Sequence, residues 1–127
     1  MPTSQRYRQM VDRFEEVACA NFRLAPPIPD ICAALEVSPR TLVRAVRAIY
    51  GTTPSRHRHA LALAAARQAL LDGETASVRD VARRFGFREL GRFAAGYRAA
   101  FGENPSDTLR RHPRQTDADG SGLYSRS

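Results

Sequence analysis

Arginines at four-residue spacing carry the clearest chemistry in this chain. Arg40 with Arg44, and Arg88 with Arg92, each stand at positions i and i+4. On a helix that spacing sets two guanidinium groups side by side. A guanidinium is a planar fork of N–H donors. It can grip a phosphate, or the O6 and N7 of a guanine, through two bonds at once. The neighbouring residues suit the same surface. Thr41 and Val43 offer methyl groups of the kind that meet thymine. Glu89 offers an acceptor for cytosine N4, and Gly91 lets a backbone come close. Ser38, Thr53 and Asn104 stand just before prolines or helix starts, where hydroxyls and free amides suit phosphate oxygens. Arg47 and Arg98 suit phosphates by charge. The competing reading is that the four spaced arginines touch phosphate only, or nothing, since most protein–DNA hydrogen bonds go to the backbone.

The elements that carry these residues are duplicated. Ile28, Asp30, Ile31 and Leu35 recur fifty residues later as Val78, Asp80, Val81 and Phe85. Leu42, Val46 and Arg47 recur after fifty-one residues as Phe93, Tyr97 and Arg98, and Tyr50-Gly51-Thr52-Thr53-Pro54 recurs as Phe101-Gly102-Glu103-Asn104-Pro105. One unit therefore appears twice, with one extra residue in the middle of the second copy. No stretch alternates apolar and polar residues with period two, so no strands are expected.

The apolar period predicts helices throughout. Tyr7, Met10, Val11, Phe14, Val17, Ala18 and Phe22 outline the first. Ile28–Leu35 is a short second one. Glu36-Val37 makes a tight turn, and Ser38 with Pro39 opens the third, with Leu42, Val46 and Ile49 on its inner face. A long helix from Pro54 to about Leu71 uses Leu63, Ala66 and Leu70 as its core stripe and ends at Asp72-Gly73-Glu74. Ser77 with Asp80 forms a capping box for Val78–Phe85. Gly86 supplies the turn, because glycine tolerates positive φ. The following helix carries Leu90, Phe93, Tyr97 and Phe101 on one face, and Pro105–Arg111 closes the fold. Asp, Gly and Ser dominate from Gln115 on, and the tail 113–127 is expected to be disordered.

Composition narrows the partner. The 127 residues carry a net charge of +7, and all 20 basic residues are Arg. Residues 38–67 hold six Arg and no acid, and residues 79–114 hold nine Arg against four acids. Positive charge concentrated in the second half of each copy points to a polyanion. The two cysteines, Cys19 and Cys32, lack metal-ligand spacing and read as buried free thiols. No cofactor, no metal and no catalytic constellation is expected, because no nucleophile, base and orienting group converge in a motif. No apolar run has membrane-spanning length.

From about residue 28 to 111 the chain resembles the DNA-binding domain of AraC/XylS-type bacterial transcription regulators. The first half matches in Ser38, Arg40-Thr41-Leu42, Arg44, Gly51 and Pro54, and the connecting helix in Leu63, Ala66, Arg67 and Leu70. The second half matches in Val78, Asp80-Val81-Ala82, Gly86-Phe87, Leu90-Gly91-Arg92-Phe93, Tyr97-Arg98, Phe101-Gly102-Glu103, Pro105-Ser106 and Thr108-Leu109-Arg110-Arg111. The chain departs from the family pattern at His57, Ala62 and Ala95. The resemblance implies an all-α, homeodomain-like fold of about seven helices. Residues 1–25 form an N-terminal helix packing on the first lobe or a partner, 26–53 a first helix-turn-helix, 54–72 a linker helix, and 73–112 a second helix-turn-helix with its closing helix. It implies double-stranded DNA as partner, read in successive major grooves. RNA polymerase and an N-terminal effector or dimerisation domain are further expected partners, and the cytoplasm, on the nucleoid, is the expected location. The alternative is a general nucleic-acid-binding or protein-interaction module without base specificity. General single-strand binders expose aromatics among their basic residues, whereas here the aromatics fall on apolar helix faces.

A duplicated reader joined by one helix makes a prediction. Two residues inserted near Ala65 rotate whatever follows by about 200° at 3.6 residues per turn. Specific affinity for a cognate duplex should collapse while helical content by circular dichroism stays the same. Unchanged affinity would mean that the two copies bind independently.

Overall fold

The computed structural model describes residues 2–73 and 77–111. These fold into seven helices and no strand: α1 Thr3–Ala20, α2 Ile28–Leu35, α3 Pro39–Tyr50, α4 Pro54–Asp72, α5 Val78–Arg84, α6 Leu90–Phe101 and α7 Pro105–Arg111. They form two compact units, divided between Ala62 and Leu63 within α4. The tail expected to be disordered, and Glu74 in the predicted end of α4, lie outside the described residues.

Each unit is a three-helix core around a helix-turn-helix. In the first, Val11 and Phe14 of α1 pack with Ile31, Cys32 and Leu35 of α2 and with Leu42, Ala45 and Val46 of α3. In the second, Leu63, Ala66, Ala69 and Leu70 of α4 pack with Val81 and Ala82 of α5 and with Phe93 and Tyr97 of α6. Val11, Phe14 and Ala18 stand at the same i, i+3, i+7 spacing as Leu63, Ala66 and Leu70, and all six are buried. The duplication therefore extends to α1, which supplies the first unit with the support that the second half of α4 gives the second.

Two sequence expectations are corrected here. The first helix stops at Ala20, short of Phe22, because Asn21 leaves helical φ/ψ and its side-chain oxygen accepts a hydrogen bond from the Leu24 amide at 3.2 Å. That local bond offers the chain a turn in place of another helical step. Cys32 is buried, but Cys19 is exposed. The inner face of α1 runs through Val11, Phe14 and Ala18, and the next residue is rotated about 100° away from it.

The two turns share one geometry. Val37 N–H donates to Cys32 O at 3.0 Å and Glu36 N–H to Ala33 O at 3.1 Å. Phe87 N–H donates to Ala82 O at 2.8 Å and Gly86 N–H to Arg83 O at 3.2 Å. This paired pattern closes a helix through a left-handed residue. That residue is Gly86 at φ +88° in one unit and Glu36 at φ +59° in the other. Glycine takes the conformation without steric cost; an L side chain does not.

A second correspondence is polar. His57 and Thr108 occupy matching places three residues after Pro54 and Pro105, and both are buried. Each meets a glutamate. His57 Nε2 lies 2.7 Å from Glu15 Oε2, with the ring stacked on Tyr50 at 4.2 Å between centroids. Thr108 accepts a hydrogen bond from Tyr97 Oη at 2.8 Å and donates to the Glu103 carboxylate, which also accepts from Arg111. Burial raises the Tyr97 hydroxyl above its usual range. The bonds from Arg111 and Thr108 hold the Glu103 carboxyl at about 2, well below 4.5.

Two predictions arise from these features. Glu36→Gly should stabilise the first unit by about 0.5–1 kcal/mol, the relief of left-handed strain less the greater entropy of unfolded glycine. Urea melts measure it, and no gain would mean that the turn is not strained. Glu103 has its pKa depressed by folding, so the stability it contributes is present above about 4.5 and lost as pH falls towards about 2. Glu103→Gln should thus destabilise the second unit at neutral pH, and the difference from wild type should shrink through that window. A constant difference down to pH 2 would show that the carboxylate's charge is not what matters.

Candidate nucleic-acid interface

The front of α3 follows from what its back must do. Leu42, Ala45 and Val46 are buried, so the helical period turns Arg40, Val43, Arg44 and Arg47 outward, and all four are exposed. No acid lies in this helix. Ser38 caps it: the Thr41 amide donates to Ser38 Oγ at 3.1 Å, and the two hydroxyl oxygens lie 2.8 Å apart. Thr41 is half-buried, with its hydroxyl engaged by the cap and its methyl left as the group for an apolar contact. Gly51 closes the helix at φ +71°, its amide bonded to Arg47 O at 2.9 Å.

The front of α6 is different. Phe93 and Tyr97 are buried, and Gly91, Arg92, Ala95 and Arg98 are exposed. The helix begins at Leu90, with Glu89 at its N-cap in extended conformation. Arg88 therefore precedes the helix. The expected side-by-side pairing of Arg88 with Arg92 is corrected: only Arg40 and Arg44 share a helix. The reason is the extra residue of the second copy. Both turns match through Val37 and Phe87, and the N-caps match as Ser38 and Glu89, which leaves Arg88 as the insertion. In register, Arg40 stands opposite Gly91, Thr41 opposite Arg92 and Arg44 opposite Ala95. Glu89 makes no side-chain capping bond. Its Oε1 lies instead 3.1 Å from Arg92 Nε.

The two expected phosphate sites at helix starts also differ. Thr53 caps α4 by accepting from the Arg56 amide at 3.1 Å, and no acid lies in the first turn of that helix. At α7 the Asn104 amide donates to Asp107 Oδ2 at 3.2 Å. A carboxylate thus already holds an amide that a phosphate would use. Asn104 is half-buried beside it.

Three further exposed arginines were not singled out by the sequence reading. Arg79, Arg83 and Arg84 lie on α5, the helix before the turn. Their counterparts in the first copy are Pro29, Ala33 and Ala34. The fifty-residue offset itself carried that signal: the second copy adds three arginines on the first helix of the motif and carries two, Arg92 and Arg98, on the second, where the first copy has three. Arg84 lies over the Phe85 ring, 5.0 Å from its centroid.

Among the described residues no three of His, Cys, Asp and Glu gather as a metal site, and no helix is long and apolar enough to cross a membrane.

Known proteins share this arrangement. A family described as a helix-turn-helix domain matches residues 31–111. The XylDLEGF operon transcriptional activator of Pseudomonas putida is 43% identical over 76 residues, which are 58% of this chain and 24% of that protein. The chain thus spans about a quarter of the length of that relative. A solved structure of a probable AraC family transcriptional regulator from Rhodopseudomonas palustris is 35% identical, with a TM-score of 0.71 over 81% of this chain and 96% of that one. A regulator with an AraC-type DNA-binding domain from Chromobacterium violaceum is 26% identical, with a TM-score of 0.77 over 83% of this chain and 93% of that one. With two copies of the motif and these relatives, the chain belongs to the AraC/XylS-type family of helix-turn-helix transcription regulators.

Proposed function

We propose that the chain is a sequence-specific DNA-binding transcription regulator that inserts α3 and α6 into major grooves of double-stranded DNA. The observation that carries this reading is the acid-free outer face of α3, with Arg40, Arg44 and Arg47 exposed opposite a fully apolar back. A helix about 10–12 Å across fits a groove about 12 Å wide. Arg40, Val43 and Arg44 are the base readers of the first unit, with the Thr41 methyl as an apolar contact. Ser38, Arg47 and Thr53 hold the flanking phosphates. The second unit reads through Arg92, with Glu89 paired beside it, and approaches closely at Gly91 and Ala95. Arg88, outside α6, becomes a phosphate contact in the turn, alongside Arg98. Asn104 stays a weaker phosphate contact, since Asp107 competes for its amide. Arg79 and Arg83 add phosphate contacts, since the first helix of the motif crosses the DNA backbone.

The Pseudomonas relative is named as an operon activator. By analogy this chain acts on transcription, with RNA polymerase and an effector or dimerisation domain as partners in a bacterial cytoplasm. It performs no catalysis. The second reading, a general nucleic-acid binder, makes the opposite forecast for sequence preference.

Binding-site selection on the wild type and three variants separates the two. Neutralising about six to eight phosphates gives a log K against log salt slope of roughly −5 to −7. Arg44→Ala should relax base preference at one position and cost about 1–3 kcal/mol. Arg98→Ala should weaken all sequences alike and reduce the slope by about 1. Arg92→Ala should fall between the two. A wild type that enriches no sequence, or binds with no salt dependence, sinks the proposal.

A further inference from the structure

We propose that Glu89 is a specificity-determining positioning residue of the second unit, holding Arg92 for one guanine at the expense of general affinity for DNA. This inference rests on the DNA-binding reading above and deepens it. An acid at this place calls for an explanation. Glu89 is exposed at the N-cap of α6, the end of a recognition helix that meets the bases. There a carboxylate repels the phosphates of any duplex. Its counterpart Ser38 has an assigned task, because its hydroxyl accepts the Thr41 amide. Glu89 makes no such bond, so capping does not account for it.

Its partner is the one arginine that α6 presents near its start. Glu89 Oε1 lies 3.1 Å from Arg92 Nε, and the two side chains are 69% and 88% exposed. In water such a pair contributes little. Against DNA, with water excluded, it would count for more. The contact runs through Nε, so the two terminal amino groups of the guanidinium are left for a ligand. Two parallel N–H donors match O6 and N7 of guanine. A side chain biased by this ion pair also loses less rotamer freedom on binding. The first unit has no equivalent pair: Thr41 fills the place of Arg92, and its arginines at Arg40 and Arg44 stand without an acid in the helix. The second unit has Gly91 and Ala95 at those two places, so Arg92 is its only arginine on the first two turns of α6. Its geometry is then what decides whether that unit reads a base.

The test compares signs. The wild-type chain, Glu89→Ala, Glu89→Gln, Arg92→Ala and the double variant Glu89→Ala/Arg92→Ala are titrated with the duplex selected by the wild type. They are also titrated with its single-base variants and with a random-sequence duplex. Glu89→Ala should bind the random duplex more tightly, because a negative charge is gone. It should also lose about tenfold in preference for guanine at one position, the scale of one bidentate contact. Glu89→Gln should move both in the same direction, by less. Arg92→Ala should lose the same guanine preference and bind the random duplex more weakly. The double variant should lose no more preference than Arg92→Ala alone. Tighter binding to every sequence alike, with guanine preference kept, would make Glu89 a solvated bystander and overturn the inference. If the wild type itself selects no duplex, the DNA-binding reading fails and takes this inference with it. If it selects one and Glu89→Ala keeps the same preference, only the inference fails.

Discussion

The left-handed residue between the two helices of each unit is the constraint on which the rest depends. At Glu36 and Gly86 the chain must reverse its twist once, and no more, for the next helix to lie across the first. The paired bonds from Val37 to Cys32 and from Phe87 to Ala82 lock that reversal. They also satisfy carbonyls at the end of a short helix whose inner face packs on the core. Leu42, Val46, Phe93 and Tyr97 are buried in their cores by the helices that follow these turns. The outward face of the following helix is fixed by the same geometry. Interface and core are thus two sides of one helix, and a change in the turn moves both.

Within that frame the two copies diverge in where they keep charge. The first copy concentrates it on α3. The second leaves Gly91 and Ala95 on α6 and carries Arg79, Arg83 and Arg84 on α5, with Arg88 inserted between. Arginine on the first helix of the motif suits the DNA backbone, and arginine on the second suits bases. On the proposed DNA-binding reading, this distribution divides the work: one unit weighted to reading, the other to holding, with Arg92 the proposed base contact of the second.

The buried polar residues show how each copy keeps the helix after its recognition helix in place. His57 and Thr108 sit at equivalent positions and both meet a glutamate, but the glutamates come from different parts of the chain. Glu15 lies 42 residues before His57, whereas Glu103 lies five before Thr108. Duplication preserved the need for a satisfied polar group at that place, since an unpaired one would cost about 1–3 kcal/mol. It did not preserve the source of the partner.

The sequence by itself determined the helices, the duplication, the two turns and the partner class. Each is a local or statistical property: apolar residues at a 3.6-residue period, Ser and Pro at helix starts, Gly where φ is positive, and arginine without compensating acid. Ser38, Gly86 and the Leu42–Val46 face could be read because their neighbours in the chain dictate their roles. The tertiary structure decided the rest. It assigned α1 to the first core, although its spacing already matched that of α4. It put Cys19 outside, removed Arg88 from the recognition helix, engaged the Thr41 hydroxyl at a cap and joined Glu89 to Arg92. It also paired Glu15 with His57. The physical reason is that a backbone preference depends on adjacent residues, whereas a side chain's partner depends on where a whole helix begins and which of its faces is covered. A single inserted residue changes both without altering the pattern that predicts the helix.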